Sequence, residues 1–112
     1  MKPLHVKDVK SFLSRFGNFL DAEIRNIDIV SAQEITITLA CQDSARAFDW
    51  ITLTLGFSGI SDASLIDSTQ LLHVDTSEGA TLSYIDNYFI FSIKNATLSL
   101  KASTIKYEEG QF

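Results

Sequence analysis

The 112-residue chain contains a single cysteine and a single proline, and no lysine or arginine lies between Arg46 and Lys94. Because Cys41 stands alone, it cannot form a disulfide within the chain, and no zinc site with two or more thiolates can be built. Apolar runs are too short to span a bilayer. Charged residues interrupt the segment 4–20 too often for a signal peptide. We therefore expect a cytoplasmic protein that does not associate with membranes.

The missing basic residues leave the stretch 47–93 purely acidic, and nine basic against fourteen acidic residues give the chain a formal net charge of −5. A surface of this kind repels phosphate and has no cations with which to displace counterions, which argues against nucleic acid as a partner. An acidic surface favours a basic protein as the partner instead. The candidate partner-binding residues are the acids of this stretch together with its tryptophan: Asp49, Trp50, Asp62, Asp67, Asp75, Glu78 and Asp86.

Apolar residues recur at steps of three and four from Val6 to Leu20. This spacing predicts an N-terminal amphipathic helix over about 4–16 that buries one stripe. Gly17-Asn18 is typical of a helix C-terminus. We expect the stripe to cover a sheet, with a membrane-surface or partner helix as the alternative.

From residue 22 onward the hydrophobic period changes to two, which is typical of half-buried strands. The spacing of Ile24, Ile27 and Ile29 predicts a bulge near Arg25-Asn26, and Asp86-Asn87 predicts a tight hairpin turn. The predicted strands span about 22–30, 34–41, 48–57, 71–75, 80–85, 88–93 and 97–107. Short links between neighbouring strands indicate antiparallel pairing. Residues 1–112 are thus predicted to form one α+β domain, with the helix packed on a mainly antiparallel sheet of about six strands.

The alternation also predicts which side chains point inward. In the second and third predicted strands these are Ile35, Ile37, Leu39 and Cys41, then Ile51, Leu53, Leu55 and Phe57. Phe48 and Trp50 point to the opposite face. They are interpreted as core residues covered by another element, and the alternative is an aromatic anchor for a protein partner beside Asp49.

The stretch LGFSGIS, residues 55–61, resembles two functional motifs. A nucleophilic serine turn needs glycine two residues on either side of the serine, but Ile60 occupies the second position after Ser58. A phosphate-binding G-x-x-G loop lacks any basic residue nearby here. We interpret the stretch as the end of a strand, with Gly56 near its terminus and Gly59 starting a turn.

His73 and Asp75 share one face of a predicted strand, and with Glu78 they would form a weak metal site or an acid–base pair. An ordinary surface pair is the preferred interpretation. No catalytic, cofactor-binding or metal-ligating residue is therefore predicted. Cys41 is expected to be a buried small hydrophobe.

Two stretches carry a resemblance to a known family. Phe19, Asp21, Ala22, Glu23 and Ile24 match an F-H-D-A-E-V pattern in which Leu20 replaces the histidine. The second stretch, residues 57–62, is similar to an F-x-G-V-x-D turn. The chain thereby resembles immunity protein family 50 of bacterial polymorphic toxin systems and its uncharacterised relatives. The resemblance implies a cytoplasmic, non-catalytic binder of a toxin domain, and it transfers no binding residues.

Three functional hypotheses follow. The leading one is a non-enzymatic protein-interaction domain whose acidic 47–93 region meets a basic partner. The second is a small-molecule-binding domain or weak hydrolase with a pocket between helix and sheet, lined by Phe12, Phe16 or Trp50 with His73 or Asp75 at its mouth. The third is a structural homodimer formed through strand edges or the Trp50 face.

Overall fold

The computed structural model describes residues 1–65, 74–94 and 98–112. Within these ranges one α-helix, α1 (Val9–Arg15), lies between two 3₁₀ turns. Seven strands accompany it: β1 (Lys2–Pro3), β2 (Glu23–Ser31), β3 (Glu34–Asp43), β4 (Asp49–Ser64), β5 (Ala80–Ile85), β6 (Tyr88–Ile93) and β7 (Leu98–Gln111). The predicted α+β class, with a short N-terminal helix on an antiparallel sheet, is confirmed.

The described strands form one sheet in the order β2-β3-β4-β7-β6-β5, and β1 pairs with β7 outside this path. Every pairing among them is antiparallel. The long strands β4 and β7 lie side by side at the centre. β7 pairs with β6 through its first residues and with β1 near its end, so this pair of strands connects the two halves of the sheet.

Several predicted boundaries need correction. The helix is shorter than 4–16 because the chain before it runs along β7: Lys2 pairs with Tyr107, and the Leu4 amide donates to the Ile105 carbonyl at 2.9 Å. Two residues are too few for a periodic signal, so β1 was not predicted. Of the predicted strand 71–75, residues 71–73 lie outside the described residues, while Val74 and Asp75 are not in a strand.

The core lies between the helical segment and the inner face of the sheet. All eight residues predicted to point inward from β3 and β4 are buried. Phe12, Phe16 and Phe19 cover them from the N-terminal segment, and the Phe19 ring meets Phe91 of β6 with centroids 6.2 Å apart. Leu20 is exposed, because the helix ends at Arg15 and a left-handed turn follows.

The stretch 55–61 is the interior of β4, so its interpretation as a strand end is wrong. Gly59 has a φ of +68°, and a Cβ there would overlap the Ser103 hydroxyl of β7. At this point the alternation of inward and outward residues changes parity on both strands. The inward position after Phe57 is the partly buried Ile60, and the one after Ala102 is Ile105, each three residues further on instead of two. Glycine is required because this residue is left-handed and in close contact with the neighbouring strand. The pairing of β4 with β7 shifts two residues later, between Ile60 and Asp62.

Two local predictions match the structure. The pairing of β2 with β3 shifts between Ile24 and Asn26, which places the bulge at Arg25. Asp86 and Asn87 have φ values of 52° and 69°, as a tight hairpin turn with two left-handed residues requires.

Candidate interaction surface

Three exposed aromatic side chains lie where β4 begins and β7 ends: Phe48 is 63%, Trp50 42% and Phe112 64% exposed. The Trp50 and Phe112 rings are in contact, with centroids 5.9 Å apart, and the Arg25 guanidinium lies 4.8 Å from the Phe112 centroid. We call Phe48, Trp50 and Phe112 the aromatic end. The interpretation of Phe48 and Trp50 as core residues is wrong, because both side chains are exposed. Trp50 alternates with the buried Ile51 and Leu53 and so points away from the face that α1 covers, whereas Phe48 precedes the strand and lies beside the segment that follows α1.

The connection from β3 to β4 holds Phe48 in an unusual conformation. The Asp43 carboxylate accepts a hydrogen bond from the Ala45 amide at 2.9 Å, and the Phe48 amide donates to the Asp43 carbonyl at 2.9 Å. Ala47 and Phe48 then follow with φ values of 56° and 65°. A left-handed conformation costs a residue with a Cβ about 1–2 kcal/mol. The turn therefore exposes a large aromatic side chain at a cost in backbone energy.

Asp43 itself belongs to a buried ion network that fastens α1 to the sheet. Its carboxylate is fully buried and receives two hydrogen bonds from Arg15, at 2.9 and 2.8 Å. Arg15 Nη2 also reaches Glu109 of β7 at 2.7 Å. Arg46 Nε lies 3.5 Å from Asp43 and Lys2 Nζ 3.5 Å from Glu109. One arginine thus joins the helix to β3 and β7 beside the aromatic end.

Arg15, Asp43 and Glu109 favour one another's charged forms. The hydrogen bond from Arg15 lowers the pKa of Asp43 and outweighs burial, which alone would raise it. Burial would likewise raise the pKa of Glu109, but the hydrogen bond and charge of Arg15 and the charge of Lys2 lower it overall. Asp43 in turn raises the pKa of Arg15. Because each of these three pKa shifts favours the charged form, Arg15, Asp43 and Glu109 are suited to structural support and not to general acid–base catalysis.

Two of the clefts among the described residues are lined by Arg15 of the network. The first, of about 280 Å³ between α1 and the β1–β7 edge, is lined by Asp8, Ser11, Phe12, Arg15 and Tyr107 among others. The second, of about 230 Å³, is lined by Phe16, Leu20, Asp21, Gln42 and Phe48 among others. Phe12 lines the first cleft and Phe16 the second. Neither cleft is lined by Trp50 or Asp75, and His73 lies outside the described residues.

The acidic candidates do not form one surface. Asp49 lies beside the aromatic end, whereas Asp62 is near the other end of β4, opposite Lys101 of β7. Asp86 lies in the β5–β6 turn. Asp75 accepts hydrogen bonds from the Ser77 hydroxyl and amide, at 2.6 and 3.0 Å, and these bonds lower its pKa. Glu78 follows in the same turn, and Asp67 lies outside the described residues.

Cys41 is buried as expected, and burial raises the pKa of its thiol to about 12. In the part of the chain that the structure describes, no three His, Cys, Asp or Glu side chains are close enough together to hold a metal ion. No described helix has the length and apolar character needed to cross a membrane.

Sequence reasoning missed Arg15, Asp43 and Glu109, although one signal was present. Extending the β3 alternation two residues beyond Cys41 places Asp43 on the inner face. A carboxylate at an inward position requires a cationic partner, and that requirement predicts an arginine or lysine on the element that packs there. The C-terminal Phe112 was also missed, since an aromatic residue at a chain end carries no periodic signal.

The fold and this surface define a small α+β protein with an N-terminal helix on one face of an antiparallel sheet and exposed aromatic residues at one end of it. Comparison with protein-family models, with curated proteins and with solved structures finds no match to the chain. The resemblance to immunity protein family 50 therefore stays a prediction.

Proposed function

We propose that this protein is a non-enzymatic interaction domain that contacts a protein partner through its aromatic end. The observation that carries the proposal is Phe48, which is 63% exposed although its φ is 65°. A ring exposed to this extent gains little from burial, and the left-handed backbone costs energy in the isolated fold. Aromatic side chains on a fixed scaffold are the typical anchors of protein interfaces.

The surroundings of the aromatic end favour binding without rearrangement. The turn that carries Phe48 is hydrogen-bonded to Asp43, whose carboxylate is held by Arg15. Trp50 and Phe112 already pack against each other. Side chains that are held in place lose little conformational entropy when a partner binds, so more of the contact energy appears as affinity.

The partner we propose is a basic protein, and the resemblance to immunity proteins makes a toxin domain the class to test first. A net charge of −5 attracts a basic protein at long range. Because the acids are distributed over the molecule, we expect them to accelerate association more than they stabilise the complex. Added salt should then lower the association rate much more than it raises the dissociation rate.

The test begins with isolation of the partner from the native host by the tagged protein, followed by titration of the purified partner. Trp50→Ala and Phe48→Ala should each weaken binding by about 10- to 100-fold or more, as expected for interface anchors. Ile29→Ala is the matched control, because this exposed apolar residue lies on β2 away from the aromatic end. Affinity that is unchanged by both aromatic substitutions would exclude this surface as the contact site.

A further inference from the structure

The two edges of the described sheet are built differently. β2, at one edge, carries Glu23, Arg25 and Asp28, and its pairing is interrupted at Arg25 and again between Ile29 and Ser31. Charges and bulges of this kind protect an edge strand against further pairing. β5, at the other edge, has the sequence ATLSYI and pairs with β6 in an unbroken register. It contains no charge, proline or bulge, so these three protective features are absent from the strand itself.

The hairpin geometry shows which backbone groups of β5 face the open edge. In a two-residue hairpin the flanking residues, here Ile85 and Tyr88, exchange hydrogen bonds. Alternate residues of β5 therefore turn towards β6, and Leu82 and Tyr84 direct their N–H and C=O groups outward. Apart from the strand pairings, no backbone hydrogen bond within the described ranges involves these two residues.

We propose that β5 pairs antiparallel with β5 of a second copy of this chain. A two-fold axis at Ser83 places Ser83 opposite its own copy, Leu82 opposite Tyr84, and Thr81 opposite Ile85. The outward backbone groups of Leu82 and Tyr84 then meet each other, and both side chains lie on the same face of the joined sheet. No charged residue faces a like charge in this register.

The structure favours this register over one shifted towards the start of β5. Ala80 is buried, and a Cβ at Gly79 would overlap the Asn18 carbonyl, so the chain before Thr81 is already in contact with the segment after α1. Pairing through 81–85 avoids that segment. Of the two edges of the described sheet, only β5 lacks charges and bulges, so the assembly closes as a dimer and does not extend into a fibre.

The dimer is independent of the proposed partner binding. The aromatic end lies where β4 begins and β7 ends, whereas β5 is next to β6, which pairs with the first residues of β7. Five residues a side form a small interface, of the size found in weak and transient complexes. We therefore expect a dissociation constant of roughly 10 µM to 1 mM.

A cysteine placed at the two-fold axis tests the register. Ser83 and its copy form a non-hydrogen-bonded pair with Cα atoms about 4.5 Å apart, within the range of a disulfide. Ser83→Cys should therefore oxidise to a covalent dimer. Thr81→Cys is the matched control, because four residues of offset separate its two copies by about 14 Å. The native Cys41 does not compete, since it is buried and its thiol has a pKa of about 12.

Sedimentation of the reduced protein over a concentration series provides the second measurement. The wild type should associate to dimers, and Ser83→Lys should remain monomeric because two ammonium groups would face each other. Asp28→Lys, a substitution on the β2 edge, should leave the dimer unchanged. The proposal is overturned if the wild type stays monomeric, if Ser83→Lys still dimerises, or if Thr81→Cys crosslinks as fast as Ser83→Cys. None of these outcomes affects the test of the aromatic end.

Discussion

Replacing Arg15 with methionine removes the charge that compensates the buried Asp43 carboxylate and the partly buried Glu109, while keeping most of the aliphatic side chain. In the variant, the fully buried Asp43 retains the hydrogen bond from the Ala45 amide and the ion pair with Arg46, whose Nε lies 3.5 Å away. Breaking a buried ion pair by removing one partner costs about 3–5 kcal/mol. Arg15 is 29% exposed and Arg46 remains nearby, so water and a second cation reduce the penalty. We expect the free energy of unfolding to fall by about 3 kcal/mol, the lower end of that range.

This loss should depend on pH. Arg15 holds the pKa values of Asp43 and Glu109 below their ordinary range. The unfolded chain then takes up protons more readily than the folded one, so the stability from the network is present above about pH 4 and is lost as pH falls further. Without Arg15 the buried Asp43 takes up a proton more easily and the variant loses less on acidification. The difference between wild type and Arg15→Met should therefore shrink from pH 7 to pH 3.

Urea unfolding followed by far-ultraviolet circular dichroism measures both effects. Asp43→Asn completes a double-mutant cycle, in which we expect a coupling energy of about 2 kcal/mol between residues in direct contact. Arg25→Met is the control, since both contacts of Arg25 are at the surface. The Arg25–Glu23 pair at 3.3 Å is 38% and 51% exposed, and the Phe112 ring, 4.8 Å from the guanidinium, is 64% exposed, so we expect a cost of about 1 kcal/mol or less. A cost below about 1 kcal/mol for Arg15→Met, or an equal cost at both pH values, would refute Asp43 as a buried compensated charge.

Two further predictions test the sheet and its core. Gly59→Ala should lower the free energy of unfolding by about 2–4 kcal/mol, because it adds left-handed strain and an overlap with Ser103. Gly56→Ala is the control and should cost under about 1 kcal/mol, because a Cβ added there would lie 3.1 Å from the flexible Met1 side chain. Equal costs for the two substitutions would contradict the strained conformation of Gly59. Cys41, with a thiol pKa of about 12, should react with a thiol reagent at pH 8 roughly a thousandfold more slowly in the native than in the unfolded protein. Rapid labelling of the folded chain would show that Cys41 is not buried.

The elements that were predictable have local causes. β5 and β6 match their predicted bounds because a two-residue turn with left-handed Asp86 and Asn87 separates two alternating runs. The bulge at Arg25 followed from the spacing of neighbouring isoleucines. These signals lie within a few residues of each other along the chain, so no knowledge of the packing was needed.

The predictions that were wrong concern contacts between distant segments. Trp50 alternates with buried residues on β4, yet its exposure depends on which face of the sheet α1 covers. Gly59 has the local features of a strand end, but β7 pairs with β4 past this point as far as Ser64. The acids of 47–93 are continuous in sequence and separated in space, because one long strand carries Asp49 and Asp62 to opposite ends of the sheet.

The sequence by itself determined the α+β class, the inward faces of β3 and β4, the β5–β6 hairpin and the acidic charge of the chain, because periodicity, turn residues and composition act locally or additively. The tertiary structure alone decided that Arg15 joins Asp43 to Glu109, that the aromatic end remains exposed, and that β5 lies at the edge of the described sheet. Each of these depends on residues far apart in the chain being brought together or left apart, and the free energy of that packing cannot be obtained from neighbouring residues.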